Sequence, residues 1–267
     1  MKLLPELSAK GIGYSALRVV VLVYVAFCVL LYVRQDSYIF IPPNNRMEGC
    51  DELADAEIIF MEGTRAYFLH VASSTKLAVS YHGNGESACD SAFLVRWLAS
   101  QGYSVLGVEY AGYSGDSTHS PTVALLLDDV RHVDAWVKTQ NPTELLIVGR
   151  SVGTGFASYH SSLSAPDKLL LISPFDTLAK VAKGHFPVYP AQLILKTDLD
   201  NVAHATSAKR VLVIHGTEDV VIPFARGKAL FEALPQKDKT FFSAEGFAHN
   251  DLLDFLEVWG AIEEFLK

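Results

Sequence analysis

Hydrophobic positions fall along this chain in two regimes. From Val19 to Val33 no residue is charged, and the run is apolar all round rather than along one stripe. Extended back to Ala16, with Arg18 snorkelling, it makes a helix about 27 Å long, enough to cross the core of a bilayer. From Ile58 onward the pattern changes to short apolar runs of strand length alternating with amphipathic stretches of helix length.

The second regime can be read element by element. Ile58–Met61 and Tyr67–Val71 flank the turn Glu62-Gly63-Thr64-Arg65 and predict an antiparallel hairpin. Strands are predicted at Leu77–Tyr81, Ser104–Val108, Leu145–Val148, Leu169–Ile172, Val211–Ile214 and Thr240–Phe242. Helices are predicted at Ser91–Ser100, from Pro121 to about Thr139, after Gly153, at Phe224–Leu234 and at Leu252–Leu266. Continuous apolar strands alternating with helices imply an α/β fold, a mostly parallel sheet covered by helices on both faces. Residues 1–34 form an N-terminal segment with the apolar span at about 16–33, 35–51 a linker with a Pro-rich centre at Ile41–Asn45, and 52–267 the α/β domain. The stretch of about 34 residues between Asp176 and Lys209 is an insertion.

The apolar run ends in Tyr32-Val33-Arg34-Gln35-Asp36, without a small-x-small cleavage site, and it is long for a signal peptide. An uncleaved single-pass transmembrane anchor is therefore expected, rather than a signal peptide or a buried core helix. Lys2, Lys10 and Arg18 precede the span and Arg34 and Arg46 follow it, which favours a cytoplasmic N-terminus and a non-cytoplasmic main domain.

Composition narrows the classes. At 267 residues the chain suits one large domain plus this short segment. A net charge of −8 leaves no basic face for phosphates and excludes nucleic acid as a partner. Cys28, Cys50 and Cys89 have no metal-ligand spacing, and a Cys50–Cys89 bridge requires an oxidising compartment. Asp128, Asp129 and His132 share a helix without converging further ligands, so a solvated face is expected there and neither metal nor cofactor is implied.

Candidate chemistry sits where a strand meets a turn. Leu145–Val148 runs into Gly149-Arg150-Ser151-Val152-Gly153, and a helix can follow. This is the context of a nucleophile elbow, with Ser151 at the apex of a turn too tight for side chains on either flank. Such a five-residue pattern also occurs by chance in Gly-rich turns, so partners must decide. His249 follows the last short strand and Asp219 the strand before it, in the order Ser, Asp, His that accompanies such elbows. Ser151 needs a base to take its proton, and His249 needs a carboxylate to fix its tautomer. Glu218 and Asp176 are rivals to Asp219 as that carboxylate. Two backbone N–H groups, of Val152 and of Asn84 in the His82-Gly83-Asn84 loop, are candidates for an oxyanion hole. His82 reads as a residue bracing its loop and His215 as a strand-end residue.

These residues, with Tyr110-Ala111-Gly112-Tyr113-Ser114, His215-Gly216-Thr217-Glu218-Asp219, Ile222-Pro223 and Gly246-Phe247-Ala248-His249-Asn250, resemble the α/β-hydrolase-fold serine hydrolases with an N-terminal membrane anchor. That group is related to protein depalmitoylases and acylglycerol lipases. The resemblance runs from about Tyr38 onward and implies Ser151, Asp219 and His249 as a triad, with the 176–209 insertion as a short lid. Three departures stand out. Ala111 replaces a usual Arg, a cysteine-rich tethering N-terminus is lacking, and Glu86 puts an acid near the oxyanion loop, which would disfavour anionic substrates. Apolar lid residues (Leu178, Val181, Phe186, Val188, Tyr189, Leu193, Ile194 and Leu195) favour an ester or thioester with an apolar acyl group, cleaved through an acyl-enzyme. The alternatives are a peptidase acting on small peptides and a catalytically silent binding module of the same fold.

Overall fold

The computed structural model describes residues 9–44 and 46–267; Lys2 and Asn45, used above for orientation and for the linker, lie outside the described residues. Helix α1 (Ala9–Ile39) leads to a hairpin of β1 (Glu57–Met61) and β2 (Thr64–Leu69). Strands and helices then alternate: β3 (Lys76–Tyr81), α2 (Ala92–Ser100), β4 (Ser104–Glu109), α3 (Val123–Gln140), β5 (Glu144–Arg150), α4 (Gly153–Ser164) and β6 (Lys168–Ile172). Three short helices, α5 (Leu178–His185), α6 (Ala191–Ile194) and α7 (Asn201–His204), occupy the insertion before β7 (Arg210–Gly216). Helix α8 (Phe224–Ala233), β8 (Asp238–Ala244) and α9 (Leu256–Leu266) follow.

The strands form one sheet in the order β1-β2-β4-β3-β5-β6-β7-β8. Strand β2 runs antiparallel to both neighbours, and every other pair is parallel. Alternate residues of the apolar runs serve two cores. Val79, Ile147, Leu171 and Val213 pack with Val130 of α3 and Phe156 of α4, whereas Ala78, Leu146, Leu170 and Leu212 pack with Leu98 of α2 and Val258 of α9. Burial on both faces is why these strands read as unbroken apolar runs. The strand order reverses between β3 and β5, which opens a crevice beyond their carboxyl ends.

Several boundaries differ from the sequence expectation, and four of them have a physical reason in the structure. The hairpin turn is only Glu62-Gly63, at φ 50° and 99°, so Thr64 and Arg65 belong to β2. Left-handed backbone at both positions matches the twist of a two-residue hairpin. The helix expected to open at Pro121 begins at Val123, because Thr122 is its N-cap and accepts the N–H of Leu125. The terminal helix expected from Leu252 begins at Leu256, because Phe255 is extended (φ −117°, ψ 136°) after a single 3-10 turn. Finally, the stretch expected as linker from Gln35 remains helical to Ile39. No helix breaker intervenes before Pro42, and Gln35 is buried against the insertion, bonded to Ile194 and Lys196. Residues Gly13–Ile39 form a helix long and apolar enough to cross a membrane.

Cys50 and Cys89, whose pairing the sequence left open, are joined in a disulfide across Cα atoms 5.7 Å apart. The bridge ties the segment before β1 to the loop before α2.

Candidate active site

The elbow after β5 is shaped by what a side chain would strike. A Cβ on Gly149 would lie 2.6 Å from the carbonyl of Gly153, and one on Gly153 would collide with the carbonyls of Tyr81 and His82. Only glycine lets the turn close and α4 pack under the end of β3. Ser151 sits between them at φ 54°, a left-handed conformation that costs a non-glycine residue on the order of 1–3 kcal/mol. Its N–H is anchored to the carbonyl of Ile172 at 2.9 Å.

His249 Nε2 lies 2.9 Å from Ser151 Oγ, and His249 Nδ1 lies 2.7 Å from Asp219 Oδ2. The second carboxylate oxygen, Oδ1, accepts the backbone N–H groups of Val221 at 2.9 Å and Ile222 at 2.8 Å. Burial pushes the Asp219 carboxyl up, but hydrogen bonds from His215 and His249 outweigh it and hold this acid well below the usual carboxylate range. The imidazole of His249 therefore faces a fixed negative charge. Three side chains from separate strand ends thus form one hydrogen-bonded line.

The rival acids lie elsewhere. Asp176 is buried and engaged by Lys180 at 2.8 Å and Arg226 at 3.2 Å. The Glu218 side chain is exposed, with its backbone N–H bonded to the carbonyl of Phe247.

The loop after β3 touches the elbow at the carbonyl of His82, which a Cβ on Gly153 would strike. His82 Nδ1 contacts the Gly83 carbonyl at 2.8 Å, and its ring lies 4.0 Å from that of Tyr110. Asn84 is held by its side chain: Nδ2 donates to the Ile39 carbonyl, and Oδ1 accepts from Ile41, Gly85 and the Tyr113 hydroxyl.

Several roles escaped the sequence reading. His215 is more than a strand-end residue: it is fully buried, with Nε2 2.8 Å from the Ile222 carbonyl and 3.3 Å from Asp219 Oδ2. The spacing His-x-x-x-Asp was the available signal. Glu86 does not present a free negative charge to the loop after β3. Its carboxylate pairs with Arg150 and accepts the Gly83 N–H at 3.2 Å, so its charge is neutralised inside the protein. Arg150 also donates to Asn250 at 3.2 Å, which ties the residue before Ser151 to the residue after His249. The expected solvated face on α3 is only partly solvated. Asp129 is buried and accepts from Thr64 at 2.6 Å and from the Ala111 N–H at 2.9 Å.

Comparison with known proteins agrees with this frame. A family model described as "Serine aminopeptidase, S33" matches residues 72–197, a span that includes Ser151 but stops before Asp219 and His249. An uncharacterised protein, Rv2307c, of Mycobacterium tuberculosis is 31% identical over 207 residues, covering 75% of this chain and 73% of its own length. The lysophosphatidylserine lipase ABHD12 of Danio rerio is 28% identical over 228 residues; the match covers 73% of this chain but 59% of that protein. Among solved structures, the native esterase 2 of Thermogutta terrifontis superposes with a TM-score of 0.65 at 18% identity, covering 80% of this chain and 92% of the other.

Proposed function

The chain belongs to the α/β-hydrolase-fold serine hydrolases, and on that premise we propose that it is a membrane-held hydrolase of carboxylic esters or thioesters carrying an apolar acyl group. The observation that carries this reading is the unbroken line from Ser151 through His249 to Asp219 at a strained turn. His249 takes the proton of Ser151 as the oxygen attacks the carbonyl carbon. Asp219 keeps the imidazole in the tautomer that can accept it. The N–H groups of Asn84 and Val152 receive the negative oxygen of the tetrahedral intermediate. His249 then protonates the leaving alcohol or thiol, an acyl-Ser151 remains, and water activated by the same imidazole releases the acid.

Three observations support holding this domain at a membrane, on the non-cytoplasmic side. Helix α1 is long and apolar enough to span. Its C-terminal turn and the residue after it are built into the domain, with Gln35 and Phe40 both buried, which fits a retained anchor and not a cleaved leader. The Cys50–Cys89 disulfide fits an oxidising compartment, in line with the basic residues before the span. The similarity to a lysophosphatidylserine lipase supports a single-acyl lipid ester as the substrate class.

Ser151→Ala should abolish p-nitrophenyl butyrate hydrolysis and fluorophosphonate labelling, while labelling that persists would mean another nucleophile. The description of the matching family supports a second reading, a peptidase. Turnover of an amino-acid p-nitroanilide without ester turnover would establish that reading instead.

A further inference from the structure

The lid between β6 and β7 contains a segment whose surface suits lipid better than water. Residues Phe186–Leu195 carry no charge, with Lys183 before them and Lys196 after. Within that run Phe186 is 60% exposed, Val188 74% and Leu193 87%. The segment lies along α1. Tyr24 donates its hydroxyl to the Val188 carbonyl at 2.6 Å, and Lys196 meets Asp36 at 2.9 Å. Tyr24 is near the middle of the uncharged run of α1, about 15 Å along the helix from Arg34. A bilayer core is about 30 Å thick, so a helix that crosses it carries its partner at Tyr24 to mid-depth.

The backbone of the segment is prepared for such a place. Irregular chain survives in hydrocarbon only when its polar groups are satisfied within the protein. Pro187 and Pro190 have no N–H, and those of Phe186, Tyr189, Ala191, Leu193 and Leu195 are bonded to carbonyls of the lid itself. Gln35 of α1 adds two more bonds, donating to the Ile194 carbonyl at 3.2 Å and accepting the Lys196 N–H at 2.9 Å.

Between the two elements lies a cavity of about 490 Å³, lined by Phe27, Leu31 and Ile39 of α1 and by Phe186, Tyr189 and Leu195 of the lid. Its amide, Gln35, already has partners, so an apolar occupant leaves that amide's hydrogen bonds in place. At Ile39 the lining meets Asn84, whose side chain donates to the Ile39 carbonyl at 2.6 Å. A volume of this order falls in the ordinary range of ligand pockets, about 300–1,000 Å³.

We propose that Phe186–Leu195 is sunk in the leaflet beside α1, and that the cavity between them takes one acyl chain of a bilayer lipid sideways out of that leaflet toward Ser151. This rests on the reading of α1 as a spanning anchor and of Ser151 as an acyl-ester nucleophile. A substrate following this route keeps its chain in hydrocarbon while only its ester reaches water.

Depth-dependent quenching tests the placement without turnover. The full chain carrying Ser151→Ala and Val188→Trp is placed in phosphatidylcholine vesicles whose acyl chains are brominated near mid-chain. The Ser151→Ala parent, with Trp97, Trp136 and Trp259, is the reference. Added fluorescence that bromine quenches and aqueous acrylamide does not is the expected result; the reverse overturns the proposal. Leu193→Trp reports on the same surface should the first variant fold poorly. In the active chain, Leu193→Asp puts a charge in the leaflet. It should lower the rate on vesicle-borne 1-oleoylglycerol relative to soluble p-nitrophenyl acetate by about tenfold or more. An unchanged ratio overturns the acyl route. Bromine quenching of Val188→Trp together with no ester turnover by the chain that keeps Ser151 would sink the ester reading and leave the leaflet placement standing.

Discussion

Asn84 joins the end of α1 to the loop beside Ser151: its Nδ2 donates to the Ile39 carbonyl at 2.6 Å, and its Oδ1 accepts the Ile41 N–H at 2.9 Å. The backbone of the same residue is the proposed oxyanion donor. A rigid helix therefore sets the position of an N–H group that must meet a developing charge, and small displacements there are costly. Asn84→Ala keeps the N–H but releases the tether. We expect kcat on a soluble ester to fall about tenfold with KM little changed, since the loss falls on the transition state alone. An equal rise in KM would assign Asn84 to substrate binding.

His215 bears on the same oxygen of Asp219 as His249 does, with its Nε2 3.3 Å from Oδ2. His215→Phe removes that donor, and kcat should fall by about an order of magnitude. The informative measurement is the cycle with Asp219→Asn. If His215 acts through Asp219, the double variant is no slower than Asp219→Asn alone. Full additivity would mean that His215 serves only the packing of α8, where a Cβ on Gly227 would collide with its ring.

The Cys50–Cys89 bridge closes a loop at a sequence separation of 39 residues. Chain-entropy reasoning assigns such a loop about 4 kcal/mol of stabilisation. Thermal unfolding in the presence and absence of reductant should show a lower midpoint on reduction, and Cys50→Ser with Cys89→Ser should match the reduced protein. A midpoint indifferent to reductant would mean that the bridge does not form.

Acid should act first at His160. Its ring is fully buried between the Tyr81 hydroxyl at 2.9 Å and Asp134 at 3.7 Å, and burial pulls it down to about 4 against the attraction of that carboxylate. In the unfolded chain the imidazole titrates near 6.5. The folded value is the lower one, so stability is full above about pH 6.5 and is lost as pH falls toward about 4, on the order of 3 kcal/mol in all. His160→Gln should flatten the urea midpoint between those pH values. An unaltered slope would place the acid sensitivity elsewhere.

Much of this was legible in the residues themselves. The strand run Leu145–Val148 and the glycines at 149 and 153 specify the elbow by local sterics. The order of Ser151, Asp219 and His249 followed from turns at strand ends. Other features were not legible, because each depends on a meeting of distant segments. Asp129 sits on an amphipathic helix among charged neighbours, yet it is buried because β2 delivers Thr64 to it. The acid of Glu86 was visible, but its neutralisation by Arg150 depends on β3 and β5 lying side by side.

By itself the sequence determined the period of the strands and of the longer helices, the tight turn at Ser151 and the apolar character of α1, because each depends on residues within a few positions of one another. Only the tertiary structure decided that α1 continues to Ile39, reaches Asn84 and lies against the insertion at Val188, and that Cys50 meets Cys89. The reason is physical. Hydrophobic patterning fixes which face of an element is buried, whereas contacts between polar groups far apart in the chain arise only once packing has chosen the neighbours.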